Sequence, residues 1–317
     1  MINLLDLILL GSGGSMPMPN RHLSSLLISY QGRKILIDCG EGTQVAMRKM
    51  NTGFKAIDII CITHFHGDHI LGLPGLLSTI GNSERLDPIT IVGPAGLESV
   101  LRGLLVTTYL PYDLYLIENP LATLNIVLES RILKVNKSGN IRNDIAINTL
   151  ELEHSSPCLG YNFYFSRLPK FIVEKAITNN VPKEIWKKLQ QGENVFYEGY
   201  KYEPNMVLGE ERKGIKISYI TDTRSIGSII EFIKDSNLFI CEGTYGSDED
   251  MDKAQKNLHM TFSEAADLAS NGNIKELLLT HFSTSMENPD EYKQEALKIF
   301  ENTTIGFDGY TKTIKYE

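Results

Sequence analysis

The sequence predicts a layered α/β sandwich with a protruding insertion, on three observations. Apolar runs of strand length alternate with amphipathic stretches of helical spacing in both halves of the chain. That pattern breaks between about Arg167 and Glu211, where Pro169, Pro182, Pro204 and glycines at 192, 199 and 209 interrupt it. Metal-ligating side chains stand where apolar runs end, which puts them in loops that one edge of a sandwich can gather.

The first strand, Leu4 to Leu10, enters the glycine loop Gly11-Ser12-Gly13-Gly14-Ser15-Met16-Pro17. The loop lacks the Gly-Lys-Ser/Thr ending of a phosphate-cradling P-loop, and a strand-like alternation follows it, so it reads as a structural tight turn. Ser24 to Ser29 and Lys34 to Asp38 read as a hairpin, followed by helices at Thr43 to Lys49 and Gly72 to Ile80. A strand at Ile89 to Val92 precedes a helix from Gly96 to Val106, entered after Pro94. Strands are expected at Leu124 to Val135, Ala146 to Glu153, Gly160 to Phe165, Lys216 to Ile220 and Leu238 to Ile240. Helices are expected at Ser225 to Ile233, Thr261 to Ser270 and Asp290 to Phe300. Within the insertion only Lys183 to Leu189 shows an amphipathic pattern, and the rest reads as irregular.

With 42% hydrophobic and 22% charged residues in 317, the chain is an ordinary globular protein able to bury a sizeable core. No run approaches the roughly 20 apolar residues of a membrane span, and Met1-Ile2-Asn3-Leu4-Leu5-Asp6 lacks a signal peptide's basic region, so a cytoplasmic protein is expected. Cys39, Cys61, Cys158 and Cys241 form no Cys-x-x-Cys pair and sit in apolar or motif-adjacent segments, as reduced core thiols do. A net charge of −8 argues against a protein that coats nucleic acid non-specifically; it leaves a nuclease open, because phosphate affinity needs only a local basic surface and metals.

Three of the seven histidines fall in His64-Phe65-His66-Gly67-Asp68-His69, just after the apolar run Ile57 to Thr63. Such closely spaced donors cannot share one face of a regular strand or helix, so the segment reads as a loop whose donors splay towards two points. Imidazole with carboxylate suits Zn²⁺ or Mn²⁺, and an open loop suits a catalytic more than a structural site. Further donors follow other strands: His154, Asp222 and His281, with His259 before the Thr261 helix. Six of the seven histidines lie in these places, and only His22 is left over.

The ordered set Asp38-Cys39-Gly40-Glu41-Gly42-Thr43, His64-x-His66-x-Asp68-His69, His154, Asp222 and His281 resembles the metallo-β-lactamase superfamily. Leu10 to Pro17, Pro157-Cys158-Leu159-Gly160-Tyr161, Thr221-Asp222-Thr223-Arg224 and Leu279-Thr280-His281-Phe282-Ser283 make the chain similar, nearly throughout, to the ribonuclease Z family of tRNA 3′-processing endoribonucleases. The resemblance implies a four-layer αβ/βα sandwich over residues 1–317 and a dinuclear site. One divalent ion, Zn²⁺ or Mn²⁺, would take His64, His66 and His154, the other Asp68, His69 and His281, with Asp222 bridging and Asp38 orienting the ligand loop. It further implies Asp68 as the base that takes or orients the proton of the attacking water. His259, in Leu258-His259-Met260-Thr261, becomes the candidate acid for the leaving 3′-oxygen, supported by Glu242 in Cys241-Glu242-Gly243-Thr244. Cys241, Gly243 and Met260 depart from the family's His, Ala and Ser. An alternative reading makes His259 a residue preceding a helix cap.

In such enzymes an arm grips the tRNA elbow, and residues 167–211 stand in the right place, with Lys170, Lys175, Lys183, Lys187, Lys188 and Lys201 available for phosphates. A lid or dimer contact is the alternative reading of that segment. The resemblance implies precursor tRNA as substrate and a homodimer. The rival functions are hydrolysis of a small phosphodiester or other ester, and a non-catalytic tRNA-binding or metal-dependent scaffold.

Overall fold

A computed structural model describes residues 4–136 and 143–317. The first sheet uses β1 (Leu4–Gly11), β2 (Ser25–Tyr30), β3 (Arg33–Ile37), β4 (Ile57–Cys61), β5 (Ile89–Gly93) and β6 (Leu114–Glu118), and the chain returns at its end to add β17 (Tyr310–Lys315). Its order is β17-β1-β2-β3-β4-β5-β6, parallel from β3 to β6. The second sheet runs β16 (Thr303–Ile305), β15 (Leu277–Thr280), β14 (Leu238–Glu242), β13 (Arg212–Ile220), β10 (Cys158–Arg167), β9 (Ile145–Leu152), β7 (Leu124–Glu129) and β8 (Ile132–Val135).

Alternating side chains of the two sheets close on one another in a dry layer that includes Leu7, Ile28, Ile59, Tyr161, Phe163, Ile217 and Ile240. The outer faces are equally apolar, as parallel strands covered by helices require. Helices α1 (Thr43–Lys49), α2 (Gly67–Ile70), α3 (Leu73–Asn82) and α4 (Leu97–Leu104) flank the first sheet, where Met47, Leu76, Leu77 and Leu97 pack on Leu36, Ile60 and Ile91. Helices α7 (Ser228–Ile233), α9 (Phe262–Asn271) and α10 (Lys293–Leu297) cover the second, through Ile229, Phe262, Ala266 and Ala296; α8 (Met251–Asn257) precedes α9. The result is a four-layer αβ/βα sandwich. Among the described residues, no helix is long and apolar enough to cross a membrane.

The expected strand from Leu124 to Val135 is two strands, because Ser130 and Arg131 both adopt left-handed backbone and reverse the chain into a hairpin. The helix expected over Asp290 to Phe300 is a 3₁₀ turn, Pro289–Tyr292, followed by only five α-helical residues. The His64 loop is not wholly irregular: Asp68 and His69 lie in α2, whose first residue is Gly67.

The segment after Arg167 is also more ordered than its composition suggests. It contains α5 (Val173–Thr178), α6 (Trp186–Gln190) and a two-stranded hairpin of β11 (Val195–Tyr197) and β12 (Tyr200–Tyr202). Ala176, Ile185, Leu189, Val195 and Val207 form a small core of its own, with Trp186 packed at a tilt against Phe171. The prolines and glycines that broke the helical pattern serve as punctuation between short elements.

Candidate metal centre

Strand direction explains why distant residues meet. Strands β13, β14 and β15 run parallel, and β9 shares their direction because β10, between β9 and β13, opposes both. His154, Asp222, Glu242 and His281 therefore emerge at one edge, and the ends of parallel β3 and β4 supply Asp38 and the His64 to His69 segment from the facing sheet. Asp38, Asp222 and His281 all adopt left-handed backbone as they leave their strands. For a β-substituted residue that conformation is costly, and its recurrence at three strand ends marks a site the surrounding packing enforces.

Among the described residues, four overlapping groups of donor atoms result, each within 4.8 Å mutually: His64, His66 and His154; His64, His69 and Asp222; Asp68, His69 and His281; and Asp222, His259 and His281. His66 Nδ1 lies 3.2 Å from His154 Nε2, and His69 Nε2 lies 3.1 Å from His281 Nε2. Asp222 faces both sides: Oδ1 is 3.9 Å from His64 Nε2 and 4.0 Å from His154 Nε2, while Oδ2 is 3.2 Å from His69 Nε2 and 3.3 Å from His281 Nε2. Asp68 Oδ2 is 3.5 Å from both His69 and His281.

This chemistry fits divalent cations. His64 is buried with Nε2 unpartnered, and burial together with the neighbouring His69 holds its pKa well below the usual imidazole range, so it presents a lone pair. His69 is raised despite complete burial, because Asp222 and Asp38 flank it. Its proton marks a point where two carboxylates call for positive charge. Burial works against the charge on Asp222, yet His281, His69 and His64 hold its carboxyl well below the normal range.

Two threonines, assigned no role from the sequence, orient the imidazoles. Thr63 Oγ1 donates to Asp38, 2.9 Å from Oδ2, and stands 3.1 Å from His64 Nδ1, whose N–H it accepts; the Thr63 backbone N–H donates to Asp38 Oδ1 at 2.8 Å. Thr244 Oγ1 donates to Glu242 Oε2 at 2.6 Å and lies 3.2 Å from His281 Nδ1. Each carboxylate–threonine pair turns a histidine's Nε2 towards the cluster, the support that metal-ligating imidazoles need. The only sequence signal was a threonine beside a motif residue.

Glu242, fully buried, also accepts the backbone N–H groups of Thr223 (2.7 Å) and Met260 (3.1 Å), and its Oε2 is 3.1 Å from His259 Nδ1. Burial opposes charge on His259, but the Glu242 carboxylate outweighs it and raises the imidazole to about 9. Leu258, in left-handed backbone, ends α8, and Thr261 with Glu264 forms a capping box that starts α9, so His259 is fixed between two helix ends. Arg224 pairs with Glu264 and donates to the His259 carbonyl oxygen, a positioning role its place in Asp222-Thr223-Arg224 did not disclose.

The glycine loop braces the cluster from outside. The Ser15 backbone N–H donates to Asp68 Oδ2 at 2.6 Å, and a Cβ on Gly14 would lie 2.5 Å from the His281 ring, so only glycine fits there.

Comparison with known proteins agrees with this geometry. Residues 5–193 match the family described as "Anti-Pycsar protein Apyc1", a match that ends before Asp222, Glu242, His259 and His281. Ribonuclease Z of Alkaliphilus oremlandii is 60% identical over 316 residues, covering 99% of this chain and 100% of that protein. Ribonuclease Z of Clostridium beijerinckii is 59% identical over 315 residues, with 99% of each covered. Among solved structures, human tRNase Z, short form, superposes with a TM-score of 0.65 at 25% identity, covering 97% of this chain and 98% of that one. The metallo-β-lactamase-fold protein YhfI of Bacillus subtilis, at 18% identity and TM-score 0.68 over 98% and 100% of the two chains, shares the fold. With relatives this similar spanning every residue of the cluster, the chain belongs to the ribonuclease Z family of metallo-β-lactamase-fold, metal-dependent hydrolases.

Proposed function

We propose that the chain removes the 3′ trailer of precursor tRNA by endonucleolytic phosphodiester hydrolysis, leaving a 3′-hydroxyl on the tRNA. The observation that carries this reading is the bridging position of Asp222 between two donor sets, with a charged His259 beside them. His64, His66 and His154 would hold one divalent ion and Asp68, His69 and His281 the other, with Zn²⁺ the first choice for so imidazole-rich a set and Mn²⁺ the second. When bound, the ions supply a water of lowered pKa and offset charge on the phosphodiester.

The protein's own groups divide the proton work. Asp68 is held well below the usual carboxylate range: burial opposes this, but His281 and His69 prevail. So acidic a group serves better to accept a hydrogen bond from the attacking water and orient it than to keep its proton. His259, raised to about 9, is protonated at neutral pH. With Nδ1 held by Glu242, its Nε2–H is free to protonate the departing ribose 3′-oxygen.

Residues 167–211 serve in this reading as the arm that holds the tRNA body away from the cut, with Phe196 and Tyr200, 77% and 70% exposed, offering stacking surfaces on the hairpin. A homodimer and a cytoplasmic location accompany the same reading. The test is incubation of metal-loaded protein with a 3′-extended precursor tRNA and with bis-p-nitrophenyl phosphate, mapping the cut. Cleavage beside the discriminator base supports the proposal; hydrolysis of the small ester alone would convert it to a small-molecule phosphodiesterase.

A further inference from the structure

His22 is the one histidine outside the cluster, and it borders a cavity of about 230 Å³. Leu10, Ala46 and Met50 give the cavity apolar walls, while Asn20, His22 and Lys49 supply polar edges. Lys49 Nζ lies 3.3 Å from His22 Nε2, so the two side chains meet at the cavity edge. Asp308 also touches the cavity, but Oδ1 accepts from Ser12 N and Oγ at 2.9 Å, and Oδ2 accepts from His22 N. These donors hold the Asp308 carboxylate back against the glycine loop, and Lys49 supplies the cation at the edge.

The cavity adjoins the metal centre through two shared segments. His22 packs on Gly42, while Gly40 packs so closely on the Asp68 carbonyl that an added Cβ would lie 2.3 Å away. Gly40 and Gly42 are two residues apart, a span of at most roughly 7 Å. The other segment is the glycine loop, whose Ser15 binds Asp68 and whose continuation reaches His22. The cavity thus lies within one short loop of the segment that carries Asp68.

An apolar slot with an amide and an imidazole at its edge and an ammonium beside it suits an unpaired base and its phosphate. In a protein of net charge −8, phosphate affinity has to come from such local cations. Bases of a tRNA acceptor stem are paired and closed to a slot of this kind, whereas the trailer is single-stranded. We infer that the cavity between His22 and Lys49 receives one base of the 3′ trailer, Lys49 engaging the adjoining phosphate. The inference rests on the proposed tRNA-processing function.

The test compares KM and kcat for two precursor tRNAs identical up to the cut, one with a single-nucleotide trailer and one with a long unstructured trailer, in wild type, Lys49→Ala, Lys49→Arg and His22→Ala. The wild type is expected to show a KM about tenfold lower for the long trailer, the size of one base contact with its phosphate. Lys49→Ala and His22→Ala should erase that advantage with kcat nearly unchanged, and Lys49→Arg should keep most of it. Equal KM for both precursors in the wild type, or an equal rise for both in Lys49→Ala, overturns the inference while leaving the nuclease reading intact. Cleavage of neither precursor by a wild type that hydrolyses bis-p-nitrophenyl phosphate overturns both.

Discussion

Asp38 Oδ2 lies 2.7 Å from His69 Nδ1, and neither side chain touches solvent. The carboxylate selects the tautomer whose Nε2 faces the cluster and keeps electron density on the ring. Asp38→Asn preserves shape but removes this charge, and metal affinity should fall about 10- to 100-fold, measured by competition with a chelator. An affinity within twofold of wild type would show that burial alone orients His69.

Asp68→Ala removes a candidate ligand and the acceptor of the Ser15 amide together. Cleavage of both precursor tRNA and bis-p-nitrophenyl phosphate should drop by about a thousandfold or more, equivalent to roughly 4 kcal/mol of barrier. Circular dichroism should be unchanged, since the residue lies at the rim and not in a core. Near-normal turnover would refute the assigned role.

The Glu242–His259 pair predicts a pH dependence for the metal-free protein. The folded-state value of about 9 exceeds the ordinary 6.5, so this imidazole's stabilising contribution is complete below 6.5 and is lost as the pH rises through 9. Melting temperature should decline across that window, and decline less in Glu242→Gln. His69, also raised, contributes the same sign in both proteins and cancels in the comparison. Parallel curves would show that Glu242 does not charge His259.

Arg167 and Arg212 are cross-strand partners, one register shift beyond Phe165 and Ile215, where β10 and β13 meet the insertion. Replacing residues 168–211 with a two-residue turn should therefore leave the sandwich folded. KM for precursor tRNA should rise at least about tenfold more than KM for bis-p-nitrophenyl phosphate. Equal changes would assign the segment to a lid or an intermolecular contact.

Parallel strands such as β4, with all five residues buried, announce themselves by continuous apolar runs, and the donors were legible because histidine is rare and clustered. Edge strands were harder to read: β6 is only partly buried, so Leu114-Tyr115-Leu116-Ile117-Glu118 lacked a decisive pattern, and β17 takes its meaning from pairing with a strand some 300 residues away. Thr63, Thr244 and Arg224 were illegible for a different reason. Their roles are set by hydrogen bonds across strand ends, for which local sequence carries no period. Within the insertion, the amphipathic stretch Lys183 to Leu189 falls on helix, while the other elements, of three to six residues, were too short to show a period.

Because the insertion has its own core and enters and leaves on neighbouring strands, its length and shape can drift through evolution without strain reaching the six strand ends that hold the chemistry. On the proposed arm reading, substrate choice and reaction chemistry are separately heritable, and grafting the segment from a relative is expected to change which RNAs are held while the metal-binding edge stays as it is.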